Sequence, residues 1–293
     1  MALRIEEVEA LLAQGEPGPA KKNDLETLEI DLVLEAIYQQ YGYDFRDYAR
    51  GSIKRRLWRR VYAEGLESIS GLQERVLHDQ DAMDRLLKDL SINVTSMFRD
   101  PEFFVALRRK VAPMLRTYPF IRIWNAGCST GEETYSLAIL LHEEGLLDRT
   151  KIYATDINES VLNLAKQAVF PLDKMRDYTE NYIAGGGKTA FSEYYAADQQ
   201  GARFSDTLAS NIIFAQHNLA SDRSFNEFQM IICRNVMIYF DGLLQERVHD
   251  LFYSSLGMSG VLALGRKESI KFTRNASSYE EIDANEKLYK RVR

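Results

Sequence analysis

The sequence predicts an α/β fold, with a parallel sheet covered by helices on both faces, an all-α domain ahead of it and a small β-subdomain inserted within it. Three observations predict this. Over residues 25–90 apolar side chains recur at helical spacing, through Ile30, Leu34 and Ile37 and later Leu66, Ile69, Leu72 and Val76, with no strand-like alternation. Beyond residue 91, apolar runs at 121–124, 151–155, 212–216, 229–233 and 261–264 alternate with helical patterns, the order that builds parallel sheets. Between Phe170 and Asn211 the alternation stops, over a stretch too long for an ordinary connection.

Residues 1–24 contain GEPGP and AKKND, turn-forming and polar, and read as a peripheral short helix with a loose linker. Residues 25–90 read as a domain of about three to five helices. Residues 91–293 form the sheet-bearing domain. Its run 229–233 is apolar almost throughout, as in a central strand covered on both faces, with the strands at Ile121 and Ile152 expected as its neighbours. The stretch 171–211 carries Gly185-Gly186-Gly187, Phe191, Tyr194 and Tyr195, and reads as an inserted subdomain, a small antiparallel sheet, with an irregular loop as the alternative.

Composition narrows the function classes. With 293 residues, 45% of them hydrophobic, the chain can bury a large core, and its apolar runs are far shorter than the roughly 18 residues that span a bilayer. The N-terminus mixes acids with apolar residues, unlike a signal peptide, so a cytoplasmic location is expected. A net charge of -6 argues against nucleic acid as the overall partner. Cys128 and Cys233 cannot form a disulfide framework. His78, His142, His217 and His249 lack ligand spacing, and no metal is expected. Nothing demands more than a monomer.

The chemistry concentrates after the strands. Ala126 to Gly131 reads as a tight turn into a helix near Glu132, its small residues, Gly127 among them, letting backbone approach a ligand. Its glycines are not spaced as G-x-G-x-x-G, and Glu132 and Glu133 would repel a pyrophosphate, which disfavours a nicotinamide-dependent oxidoreductase. Two carboxylates suit a cationic ligand instead, such as the amino group of S-adenosylmethionine. Asp156, ending the next strand, is placed to bind ribose hydroxyls, or alternatively to cap the following helix. In the hinge before the sheet, Asn93, Thr95 and Arg99 can face a cleft, and Arg99 offers a fork for a carboxylate or, alternatively, an interdomain salt bridge. Asn235 and Tyr239 follow the buried strand at its carboxyl end, where ligands of open α/β sheets sit, although packing alone would also explain Tyr239. Asn218 should lie beside them, within reach of an adenine edge.

In the stretch 44–62, DFRDYARGSIKRRLWRRVY, Ile53, Leu57 and Val61 share one helix face, and Arg55, Arg56, Arg59 and Arg60 are assigned to the opposite arc. Such a run is either a plain solvated face or a docking face for an acidic partner.

The segments INVTSMFRD, WNAGCSTGEETYSLAI, ATDINESVLNLAK, AQHNL and ICRNVMIYFD, in this order, resemble the CheR family of chemotaxis receptor methyltransferases. The resemblance implies an N-terminal all-α domain, a Rossmann-like S-adenosylmethionine-dependent methyltransferase domain and an inserted β-subdomain. It also implies transfer of a methyl group to glutamate side chains of chemoreceptor helices, giving methyl esters and S-adenosylhomocysteine. By motif, Asn93, Thr95, Arg99, Gly127, Glu133, Asp156, Asn218, Leu219, Arg234 and Asn235 would hold the cofactor, with Arg99 and Tyr239 nearest the transferred methyl. The family sets a basic helix against receptor helices, which would make Arg55, Arg56, Arg59 and Arg60 a docking face, and some members bind a receptor C-terminal peptide at the inserted subdomain. The chain departs from the family at Gly265-Arg266-Lys267-Glu268-Ser269, where many members have Gly-His-Ser-Glu-Ser. That departure supports the alternative of a catalytically inactive module that binds S-adenosylmethionine or S-adenosylhomocysteine.

Overall fold

The computed structural model describes residues 22–91, 93–271 and 273–293. Most of the tail expected at 1–24 therefore lies outside the described residues. The first helix, α1 (Lys22–Tyr41), begins ahead of the expected border at residue 25, because Asp24 in its first turn suits the positive helix N-terminus. It is followed by α2 (Arg50–Ala63), α3 (Ile69–His78) and α4 (Gln80–Leu90). Ser68 caps α3 by accepting the Gly71 N–H, and Asp79 caps α4 by accepting those of Asp81 and Ala82. Val33, Leu34, Ile37, Leu57, Leu72 and Leu86 are among the residues that fill this domain's own core.

The wheel assignment of α2 needs correction. At about 100° per residue, Arg55 and Arg59 do fall opposite Ile53, but Arg56 and Arg60 fall beside the apolar stripe. Arg56 is accordingly buried, and the Arg60 side chain, only 15% exposed, pairs with Asp89 and Glu64.

The second domain opens with α5 (Pro101–Ala106), a π-helical turn at Leu107–Val111 and α6 (Ala112–Leu115). There follow β1 (Ile121–Ala126), α7 (Glu132–Glu143), β2 (Thr150–Asp156) and α8 (Glu159–Gln167). The insertion comprises β3 (Val169–Phe170), α9 (Met175–Ala184), β4 (Tyr195–Asp198) and β5 (Gly201–Phe204). After it come α10 (Asp206–Ala209), β6 (Ile212–Gln216), β7 (Phe228–Cys233), α11 (Gly242–Ser255), β8 (Leu256–Leu264), β9 (Tyr279–Asp283) and β10 (Leu288–Arg291).

The main sheet runs β6-β2-β1-β7-β8-β10-β9. Its first five strands are parallel, but β10 pairs antiparallel with both β8 and β9, so the sheet is mixed rather than parallel throughout. The edge strand YEEID is polar and partly exposed, and LYKR buries only Leu288 and Tyr289, so both lack the apolar run that marks a doubly covered strand. The neighbours of β7 are β1 and β8, with β2 one place further out. Strand order thus reverses between β1 and β7, the switch point at which open α/β sheets leave a crevice.

The insertion forms a three-stranded antiparallel sheet, β3-β5-β4. Its aromatic residues are core: Phe170, Tyr182, Phe191 and Phe204 pack together and reach Tyr135 of α7. Arg108, paired with Glu143, also donates to the Gly185 carbonyl and ties the insertion to α7. The two domains are joined by backbone: Ala49 N–H donates to the Tyr239 carbonyl at 2.9 Å and Asp241 N–H to the Asp47 carbonyl at 3.0 Å.

Candidate active site

At the carboxyl ends of β1, β2, β6 and β7 lies an open cleft, closed on one side by Tyr48 and Leu90 of the helical domain and by Ser91 at its border. Every candidate cofactor and methyl-proximal residue, from Asn93 in the hinge to Tyr239 after β7, lines it. The docking arginines do not.

The turn after β1 is rigid. Gly127 and Cys128 N–H groups donate to the Thr155 carbonyl, and Ser129 N–H donates to Asp156 Oδ2 at 2.9 Å. Gly127, at φ 77°, lies so close to Val236 that a Cβ would stand 2.4 Å from its Cγ2. Its smallness serves the contact between the two cofactor-side loops as well as leaving backbone exposed at the cleft.

The two glutamates separate. Glu132 is buried and accepts the Thr130 hydroxyl at 2.6 Å, and burial pushes its carboxyl above the usual range. It faces the insertion, near Tyr178, and lines no part of the cleft. Glu133 does line it, held by Asn125 Nδ2 at 2.9 Å and Arg234 Nη1 at 2.7 Å. Arg234 also pairs with Asp100 at 2.6 Å, donates to the Arg99 carbonyl and lies over the Phe103 ring. Two carboxylates against one guanidinium leave this trio one negative charge, so the preference for a cation survives with different partners. Arg99 itself has no ion pair among the described residues, contrary to the salt-bridge alternative, and donates only to the Val94 carbonyl.

Asp156 is not the helix cap; Asn158 is, accepting the Ser160 N–H at 3.0 Å. The Asp156 carboxylate accepts backbone N–H groups from Ser129 and Asn158 and keeps its place at the cleft, while burial pushes its carboxyl up. Buried polar groups normally find partners. The Ser129 hydroxyl and the Asn218 amide nitrogen find none among the described residues, which marks where a polar ligand is received. An anionic trio for an ammonium, a carboxylate for a diol and a free amide for a base edge fit S-adenosylmethionine.

Arg56 joins the site from the other side. Its Nη1 donates to the Leu90 carbonyl at 2.6 Å, its guanidinium carbon stands 4.9 Å from the Tyr239 ring centroid, and its Nη2 is buried without a partner. Burial lowers its pKa. Arg59 pairs with Asp89, Arg50 with Asp31 and Lys54 with Glu26, so of the outer face only Arg55 has no ion pair among the described residues. Sequence reading missed Ser129 and Tyr48, the latter half-buried, edge-on to Phe240, and joining the cleft through the interdomain backbone pairing, which leaves no local signal. Among the described residues no group of His, Cys, Asp or Glu is arranged to hold a metal, and no helix is long and apolar enough to cross a membrane.

Residues 93–287 match the family described as CheR methyltransferase, SAM binding domain, and residues 28–91 its all-alpha domain. Cher3 of Pseudomonas putida is 48% identical over 264 residues, 90% of this chain and 97% of that protein. The chemotaxis protein methyltransferase 2 of Pseudomonas aeruginosa is 32% identical and covers 81% of this chain and 85% of its own length. The chemotaxis protein methyltransferase of Salmonella typhimurium is 30% identical, covering 81% and 82%. Among solved structures, a SAM-dependent methyltransferase of Geobacter sulfurreducens overlaps 59% of this chain and 51% of its own at 14% identity and a TM-score of 0.33, too loosely to add to these matches. The all-α domain, the cofactor cleft and these matches agree: the chain belongs to the CheR methyltransferase family, S-adenosylmethionine-dependent methyltransferases of chemotaxis.

Proposed function

We propose that this chain methylates glutamate carboxylates on the cytoplasmic helices of chemoreceptors, leaving glutamate methyl esters and S-adenosylhomocysteine. One observation carries the reading: Arg99 lines the same cleft as Tyr239 and has no carboxylate partner among the described residues, and Arg56, equally without one, is buried against the Tyr239 ring. An unpaired guanidinium at the cleft offers a seat for a carboxylate. A glutamate side chain, with a pKa of about 4.3, arrives already ionised and needs no general base.

Bound S-adenosylmethionine supplies an electrophilic sulfonium methyl. The Asn93–Arg99 hinge and the turn after β7 enclose the substrate carboxylate and exclude water from it. Arg99 orients it, and the hydroxyl of Tyr239, whose ring is backed by Arg56, fixes its second oxygen, so one lone pair stays free to attack. Outside the cleft, Arg55 and Arg59 on the exposed face of α2 meet acidic receptor helices.

Transfer of tritiated methyl to receptor membranes tests the reading. Label lost on mild base treatment is the expected ester. Tight S-adenosylhomocysteine binding without label would establish the inactive module instead.

A further inference from the structure

The turn Gly265–Ser269 is where the chain departs from the family pattern, and two of its side chains touch both walls of the cleft without lining it. Glu268 is buried, and its carboxylate accepts four backbone N–H groups: Gly265 at 2.6 Å and Asn235 at 3.1 Å on Oε2, Val236 at 3.0 Å and Met237 at 2.9 Å on Oε1. Asn235 and Val236 line the cleft, and the helical turn Met237–Tyr239 follows directly. Asn235 stands at φ 61°, a left-handed conformation that asparagine tolerates better than most side chains, and the Glu268 carboxylate holds the N–H groups on either side of the bend. A Cβ on Gly265 would stand 2.7 Å from Glu268 Oε2 and 2.9 Å from the Asn235 nitrogen, so the two loops meet with no room to slide.

Arg266 reaches the other wall. Its Nη2 donates to Glu286 Oε1 at 2.7 Å and to Glu102 Oε2 at 3.1 Å. Glu286 lies between β9 and β10, and Glu102 in the first turn of α5, just past Arg99 and Asp100. Asp100 is itself left-handed, at φ 56°, and paired with Arg234. The segment carrying Arg99 is therefore pinned from one side by Arg234 and from the other by Arg266.

We propose that Glu268 and Arg266 are positioning residues, Glu268 setting the turn that presents Tyr239 and Arg266 the turn that presents Arg99, so that one short segment registers the two walls across the cleft. This deepens the proposed function and rests on it for the roles of Tyr239 and Arg99. Neither side chain lines the cleft. In this chain Arg266 adds a hold on the Arg99 segment that the usual histidine, being shorter and lacking a fork, does not duplicate.

The test uses the full chain, receptor membranes as methyl acceptor and calorimetric titration with S-adenosylhomocysteine. Glu268→Gln keeps the volume but turns an amide NH2 toward backbone donors, and kcat should fall about 100-fold, the usual effect of a displaced catalytic group. Its S-adenosylhomocysteine Kd should rise as well, while circular dichroism and cooperative unfolding persist. Arg266→Ala should lower kcat roughly 10-fold with that Kd and the receptor KM within about two-fold of the parent, and Arg266→Lys should recover part of the loss. Parental kcat in both variants overturns the proposal. So does a fall in kcat that only tracks the folded fraction. Should Glu268→Gln fail to fold, the Arg266→Ala and Arg266→Lys pair decides by the same kcat criterion. If the parent chain methylates no receptor membrane, the proposed function fails by itself; an S-adenosylhomocysteine Kd unchanged by Glu268→Gln then overturns the clamp independently.

Discussion

Arg234 and Arg56 are both buried, one lining the cleft and one behind its Tyr239, and differ in their company. Arg234, on the cofactor wall, is bound by Glu133, Asp100 and the Arg99 carbonyl. Arg56, in the helical domain, has one carbonyl, one aromatic face and an Nη2 with no partner. Burying a guanidinium without a counter-charge is unfavourable, and its persistence calls for a reason outside stability. The paired arginine builds the site. Under the proposed function, the unpaired one backs the tyrosine that meets the substrate.

The sharpest break in this comparison is Arg234→Met. It strands Glu133 and Asp100 without their cation and should destabilise the protein by about 3–5 kcal/mol, read as a large drop in thermal midpoint. Arg56→Met should leave stability within about 1 kcal/mol of the parent, since a lost hydrogen bond offsets relief of an unpaired charge. Its kcat for receptor methylation should nonetheless fall about 100-fold with S-adenosylhomocysteine affinity unchanged. Equal damage to stability in both variants would dissolve the distinction.

A smaller effect sharpens it further. Charge reversal at Arg55 and Arg59 together should raise the receptor KM roughly 10-fold, more at low salt, with cofactor affinity untouched. An unchanged KM would leave the outer face of α2 as merely solvated. Smallest is Glu132→Gln. Burial raises the Glu132 carboxyl in the folded state, so its contribution to stability is full below the unfolded value, about 4.3, and is lost as pH rises through the folded value. The variant should therefore gain on the parent in thermal midpoint as pH rises toward neutrality, the gap closing at acid pH; a gap that instead widens toward acid pH refutes this.

The parallel strands were legible because each is an apolar run that helices must cover, and the cleft residues were legible because they follow those runs in chain order. The misreadings share a cause. A second reason for Gly127 lies in Val236, more than a hundred positions later, and β9 carries the polar character of an edge while β10 beside it is too short an apolar run to announce itself. Arg56 was misplaced by grouping residues by charge, although its angle beside Ile53 and Leu57 already put it inside. Tyr48 enters the cleft only when 47–49 pair with 239–241, which no local pattern announces.

That pairing also bears on how the protein is made. A ribosome completes the helical domain long before the turn at Tyr239 emerges, and domains tend to fold in order of synthesis. Residues 47–49 then wait with unmatched backbone groups until nearly the whole core has followed. A chain without the 239–241 turn would leave those groups unmatched, and the cleft would lack its Tyr239 wall.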